Sequence, residues 1–193
     1  MVGRPIGDNN MAEDNNTRDK IILAVEELIA SKGVNSFSLR DIAKYLNIST
    51  GSLYYHFKTK DEIISAIIDI HFNDLERDYD AWLIKHKDDL TIERFLDVVF
   101  YKSTELYNHS KIHVYLINEC MRNDEIKNKL LGLWNEWKAK IVEGVKRVYK
   151  NHDNYEEIAS TILVIIEGLI IKTVLGNKTQ EEIENIKKML SRL

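Results

Sequence analysis

Cysteine occurs once in the 193 residues, at Cys120, and proline once, at Pro5. A single thiol excludes an intramolecular disulfide and fits a reducing compartment. Alone, it reads as a small buried hydrophobe rather than a redox centre. With no proline beyond position 5, nothing interrupts long helices. A run able to span a bilayer is also missing. The most apolar stretch, Ile158–Gly176, contains Glu167 and Lys172, whereas a span needs about 20 mostly apolar residues. The opening MVGRPIGDNNMAEDNN has no apolar segment of the signal-peptide kind. A net charge of −4 excludes overall basicity as a lure for nucleic acid or membrane, though not a local basic face. The expectation is a soluble, cytoplasmic protein with no membrane partner.

Catalytic and cofactor signatures are absent too. There is no GxSxG, no phosphate-binding P-loop and no dinucleotide glycine fingerprint, so no enzyme activity and no cofactor are expected. His109 and His113 stand four apart, but no acid or cysteine nearby in sequence completes a ligand set, and no metal is expected. The basic amphipathic run Lys140–Lys150 reads as a solvated helix face.

What is present is helix. Candidate N-caps with an acid three residues on stand at Asn16/Asp19, Ser38/Asp41, Thr59/Glu62, Asn154/Glu157 and Thr179/Glu182, and glycines at 33 and 176 offer C-terminal stops. Further helical patterns run near Ile92–Tyr107, Lys111–Met121 and Asp124–Lys150. The fold class is all-α with nine helices. The expected organisation is a flexible arm (1–16), a three-helix unit (17–62) and a helical bundle (63–193).

Residues 38 to 60, SLRDIAKYLNISTGSLYYHFKTK, have a definite geometry. Leu39, Ile42, Ala43 and Leu46 share one helical face. Asn47 tolerates left-handed φ and ends that helix, Ile48 plugs the turn, and Ser49 caps a second helix whose Leu53 and Phe57 return to the core. This is the layout of a helix-turn-helix, with small Ala43 where the helices approach. Burying Leu53 and Phe57 leaves Thr50, Ser52, Tyr54, Tyr55 and His56 pointing outward, with Gly51 permitting close approach. Their hydroxyls, phenols and imidazole suit phosphates and base edges. Arg40, Lys44, Lys58 and Lys60 oppose only Asp41 here, and four minus one is +3 in a chain at −4.

FSLRDIAKYLNISTGSLYYHFKTKDEII resembles the DNA-binding segment of the TetR family of transcriptional regulators. The matching features are IA at 42–43, LYYHF at 53–57 and Lys60 opening an acidic helix, all behind an amphipathic first helix. The resemblance covers roughly residues 17 to 66; beyond it, only the general all-helical plan matches. It implies phosphate contacts from Ser38, Tyr54, His56 and Lys60, and base or groove-edge contacts from Arg40, Thr50, Gly51, Ser52 and Tyr55. Lys58 adds to the basic patch, and GRP at 3–5 looks like the family's basic arm, bringing in Arg4. Asn47 departs from the usual glycine but can adopt the same backbone.

One reading helix per chain recognises too few base pairs, so a homodimer on double-stranded operator DNA is expected. The apolar residues of Ile158–Leu175 wrap most of that helix, more than one monomer core needs. With the last helix, they offer Ile158, Ile162, Ile165, Ile166, Leu169, Ile183 and Ile186 as the dimer interface. The resemblance also implies a small-molecule pocket among the middle helices, whose occupancy changes the separation of the two reading heads. Phe95, Val99, Tyr101, Tyr107, Tyr115, Trp134, Trp137 and Ile171 are candidates for its lining, with Asn118, Glu119 and Glu167 as polar groups. Such a wall suits a largely apolar effector, a long acyl chain or a multi-ring compound. Glu167 has three open readings: a ligand contact, a pair with Lys172, or a pair with a partner-chain residue. The expected function is a ligand-released repressor; an effector-independent DNA-binding regulator and a helical enzyme with a vestigial DNA-binding head are the alternatives.

Overall fold

The computed structural model describes residues 7–32, 37–104, 107–150 and 152–193, with the backbone alone for 7–15, 32, 101–104 and 107–109. Among these residues there are nine helices and no strand. They are α1 (Gly7–Lys32), α2 (Leu39–Tyr45), α3 (Thr50–His56), α4 (Lys60–Lys85), α5 (Ile92–Thr104), α6 (Tyr107–Cys120), α7 (Asp124–Val148), α8 (Tyr155–Val174) and α9 (Gln180–Leu190). Two compact units divide within α4, between Ile68 and Asp69, rather than at the boundary near residue 62 expected from capping.

In the first unit, α1 buries Ile21, Ile22, Val25, Leu28 and Ile29, a stripe at helical spacing. Ile42 and Ala43 of α2, Leu53, Phe57, and Ile63, Ile64, Ile67 and Ile68 of α4 are buried as well. Leu39 and Leu46, placed on the same face by spacing, are only half-buried. α1 begins at Gly7 and not after Asn16. Residues 8–16 contain neither proline nor glycine to stop a helix, so the expected flexible arm is helical from Gly7 on. Arg4 and the stop at Gly33 lie outside the described residues.

The second unit is built around α8, which packs against α5, α6 and α7. Its inward face is Ile158, Ala159, Ile162, Leu163, Ile166, Leu169 and Ile170. α8 closes at Gly176, φ 82°, where the Asn177 amide donates to the Lys172 carbonyl and the Gly176 amide to that of Thr173. That pair of bonds is the Schellman stop, and it needs a left-handed residue. The caps expected at Asn154 and Thr179 make no side-chain hydrogen bond. Neither residue has the extended ψ that aims a cap oxygen at the first-turn amides. Glu182 is instead drawn to Lys172.

Three charged clamps join helices of this unit. Lys140 of α7 reaches Glu76 and Asp80 of α4 at 2.5 and 2.7 Å, Lys129 reaches Asp69 at 2.6 Å, and Lys187 of α9 reaches Asp97 of α5 at 2.5 Å. Buried Tyr149 donates from its hydroxyl to the Leu190 carbonyl, and burial pushes that phenol up to about 12.

Gly144 of α7 shows how tight the packing is. A Cβ there would stand 2.3 Å from Cε2 of Phe95 and 2.4 Å from the Tyr79 hydroxyl. Both rings are buried, so overpacking at about 1–3 kcal/mol outweighs the helix gain of about 0.5–1 kcal/mol from replacing glycine. Gly144→Ala is expected to lower stability in urea denaturation. Gly132→Ala, where a Cβ meets nothing within 4 Å, is expected to raise it by about 0.5–1 kcal/mol.

Candidate nucleic-acid interface

Local chemistry alone builds the turn between α2 and α3. Ser38 opens α2 with a reciprocal capping box: the Asp41 amide donates to Ser38 Oγ at 3.2 Å, and the Ser38 amide donates to Asp41 Oδ2 at 2.8 Å. The helix ends at Leu46, and Asn47 takes φ 54°. Among the described residues, this is the one non-glycine with positive φ. The Ile48 amide then donates to the Ala43 carbonyl (3.0 Å) and the Asn47 amide to that of Lys44 (3.2 Å). This Schellman closure reverses the chain, and the short polar side chain of asparagine carries the left-handed backbone at less strain than other non-glycine residues. Two residues on, Ser49 Oγ accepts the Ser52 amide at 3.0 Å and starts α3.

α3 is a seven-residue helix with one buried member, Leu53. Phe57, just past its end, is also buried, and the Arg18 guanidinium lies 4.9 Å over its ring. With those two anchors inward, Tyr55 is 69% exposed and Tyr54 45%. Thr50 and Gly51 are exposed, Ser52 and His56 half-exposed. The rings of Tyr55 and His56 meet edge to face at 5.2 Å, which limits the freedom of both. Arg40 and Lys44 are exposed on α2.

Two lysines are partly committed. Lys58 Nζ donates to the Tyr54 carbonyl at 2.6 Å, capping the C-terminus of α3, while its amide donates to Glu62. Lys60 Nζ sits 4.5 Å over the Phe37 ring, a cation–π contact at the start of α4. The Glu62 carboxylate thus serves Lys58 and not the expected N-cap, Thr59, although Thr59 Oγ1 does accept the Glu62 amide. On the opposite side, Tyr45 donates to Glu27 of α1 at 2.8 Å, and that carboxylate raises the Tyr45 phenol above its ordinary value.

The remaining candidates lie in the second unit. Phe95, Val99, Tyr115 and Trp137 are buried in its packing, and Glu119 is buried too. Nδ2 of Asn118 is buried with no hydrogen-bond partner. Ile171, an expected lining residue, is 52% exposed. The Tyr101 and Tyr107 side chains lie outside the described ones. A surface groove of about 280 Å³ is lined by Tyr79, Asp80, Leu83, Ala139, Lys140, Glu143 and Arg147, none of them among the expected ligand contacts. Lys172 is taken by Glu182, and both oxygens of Glu167 lie 3.1 Å from Nε2 of His113. Two residues that spacing alone had left unconnected thus meet across α6 and α8.

The expected dimer set is mostly internal. Ile158, Ile162, Ile166, Leu169 and Ile183 are buried within one chain, and Ile165 and Ile186 are half-buried. The exposed apolar stripe of α8 is instead Val164, Gly168, Ile171 and Leu175. An apolar helix looks uniform in sequence; only its neighbours decide which side stays open.

A left-handed turn, a capped second helix and a polar outward face together define a helix-turn-helix protein. Residues 21–67 match the family model described as bacterial regulatory proteins, tetR family, so the three-helix unit is similar to the DNA-binding unit of that family. It is 29% identical over 130 residues to the transcriptional regulator UidR of Escherichia coli, a match covering 63% of each protein, so less than two thirds of that relative is spanned. It is 33% identical over 116 residues to IcaR of Staphylococcus epidermidis, a negative regulator of a biofilm operon, covering 58% of this chain and 60% of IcaR. A transcriptional regulator of Saccharomonospora viridis, solved with choline, superposes with a TM-score of 0.71 at 19% identity, covering 92% and 95% of the two chains; this likeness is one of fold.

Asn47→Ala is expected to destabilise the protein by about 1–2 kcal/mol, the cost of a left-handed backbone with an ordinary Cβ. Asn47→Gly should be neutral or better. Thermal or chemical denaturation of the two variants distinguishes turn strain from simple loss of the asparagine side chain.

Proposed function

We propose that the chain is a homodimeric transcriptional repressor that binds a near-palindromic operator and is released by a small molecule bound in its second unit. One observation carries this reading: α3 gives its whole outer arc to hydroxyl, phenol and imidazole groups while Leu53 and Phe57 alone anchor it. A helix presented so, beside exposed Arg40 and Lys44, suits the major groove. Tyr54, His56 and Lys60 take phosphates, with Lys58 adding charge. Arg40, Thr50, Gly51, Ser52 and Tyr55 take base edges. Ser38 is a phosphate ligand with a condition. Its hydroxyl hydrogen already points to Asp41 Oδ2 at 2.6 Å, and a serine has only one to give, so a phosphate contact there has to share or replace that bond. The work is done on operator DNA in the cytoplasm and involves no turnover.

The two-fold partner is assigned to the stripe left open on α8. Val164 and Leu175 are 72% and 73% exposed, with Ile171 between them. Together with Gly168, the positions 164, 168, 171 and 175 follow the alternating four-three spacing of a helix seam, and a Cβ on Gly168 would meet nothing within 4 Å. Met189 of α9 and Leu193 just past its end are exposed as well. A second copy laid antiparallel across this face buries the stripe against itself, as an isologous interface requires. The effector acts by preferring the DNA-incompetent arrangement, and a decisive shift needs a preference of about 5 kcal/mol. The name of IcaR as a negative regulator and the choline held by the Saccharomonospora protein support a repressor with a small-molecule ligand.

Lys60→Ala is expected to weaken specific and random DNA alike and to flatten the salt dependence by about one unit of slope. Tyr55→Ala should instead narrow the gap between operator and random DNA; fluorescence anisotropy at several salt concentrations reads both. Val164→Glu, a change on an exposed position, should turn the dimer into monomer in analytical ultracentrifugation and reduce operator affinity at least tenfold. Its remaining a dimer would remove α8 from the interface.

A further inference from the structure

Four helices of the second unit bring one charged and three ring side chains to a single point. Glu167 of α8 faces Nε2 of His113 on α6 with both oxygens at 3.1 Å. The His113 ring centre lies 6.2 Å from that of His71 on α4 and 6.4 Å from that of Trp134 on α7, each tilted by 50°. His113 is buried, whereas the Glu167 side chain keeps 32% of its surface open.

This arrangement is costly as a mere brace. A carboxylate on a helix whose neighbouring positions are Leu163, Ile166 and Ile170, all buried, gives up hydration that one partner does not restore, and an apolar pair would hold the helices as well or better. An ionised carboxylate offers about four acceptor directions. Among the described residues, a single donor, Nε2–H of His113, reaches Glu167. The open acceptor directions and the flanking indole make a combination that draws cations, since the face of a tryptophan attracts positive charge within about 6 Å of its centre. No group of His, Cys, Asp or Glu among the described residues has the geometry to hold a metal ion, so the cation this site fits is organic.

We propose that Glu167, Trp134 and His71 form a recognition site for a small organic ammonium ion, which takes the place of the His113 imidazole beside the carboxylate. In the unliganded protein His113 fills that place itself. The ligand displaces it and breaks the α6–α8 link, while its alkyl groups lie against the indole. The inference rests on the reading that the second unit binds an effector, and it names that effector's class: a cation, where an acyl or multi-ring compound had been expected from the lining.

The test is calorimetric titration of the full-length protein with choline and with benzyltrimethylammonium, against 3,3-dimethylbutan-1-ol, which has the shape of choline without its charge. At least one cation is expected to bind ten or more times tighter than the neutral alcohol. Glu167→Gln should abolish that preference, and Trp134→Leu should weaken cation binding severalfold. In His113→Asn, where the internal competitor is shortened, the cation should bind more tightly. Circular dichroism and melting curves confirm that each variant is folded. Equal binding of cation and alcohol, no binding of either cation, or a charge preference that survives Glu167→Gln overturns the proposal. Operator binding, followed in the same titrations, separates it from the effector reading. Cation binding that leaves operator affinity unchanged upholds the site and sinks the effector reading. Operator release by a neutral or anionic compound, equal in wild type and Glu167→Gln, sinks the site and leaves the effector reading standing.

Discussion

The first unit depends on one residue whose backbone bends the wrong way. At Asn47 the chain takes φ 54°, and two carbonyls that would otherwise be orphaned at the end of α2, those of Ala43 and Lys44, accept the amides of Ile48 and Asn47. Because the closure is made of backbone bonds, it fixes the direction of exit and so where α3 begins. Everything polar on α3 is outward because Leu53 and Phe57 can reach the core from that start and nothing else on the helix can. Without the bend, the same residues would continue α2, and Tyr54 and Tyr55 would have no common outer face. A small strain at one position thus orders the seven residues of α3.

The second unit is held differently. Its α8 is a core element on one side and open on the other, and polar pairs tie the elements around it: Lys140 with Glu76 and Asp80, Lys187 with Asp97, His113 with Glu167. The partly exposed lysine–carboxylate pairs contribute little to stability, roughly 0–1 kcal/mol each, while His113 is buried and stands apart from them. They do specify which helix turns face one another, and they can be exchanged for other partners at modest cost. Close packing around Gly144 supplies the rigidity that the charges do not.

The turn between α2 and α3 was legible in the sequence to the level of individual side chains, while the start of α1 at Gly7 was not. The capping box at Ser38 and Asp41, the left-handed turn at Asn47, the cap at Ser49 and the inward pair Leu53 and Phe57 are all where local spacing puts them. The site around α8 was much less so. Ile158, Ile162, Ile166 and Leu169 read as dimer residues because the helix is apolar on nearly every side, yet they are its inner face, and Val164, Gly168, Ile171 and Leu175 are the outer one. Asn154 and Thr179 have the residue types of N-caps but lack the backbone angles. Glu167 was conspicuous and its partner was not, since 54 residues separate it from His113.

The difference has a physical basis. Turns and caps are decided by residues within about five positions of one another, through backbone sterics and hydrogen bonds. Sequence by itself therefore determined the helix-turn-helix, its polar face and the all-helical class. Which side of an apolar helix is covered, and which distant groups a half-buried carboxylate meets, depend on how long helices stack. Ile, Leu and Val pack interchangeably enough that several stackings satisfy one pattern. Only the tertiary structure chose among them, and with that choice came the open stripe on α8 and the meeting of His71, His113, Trp134 and Glu167.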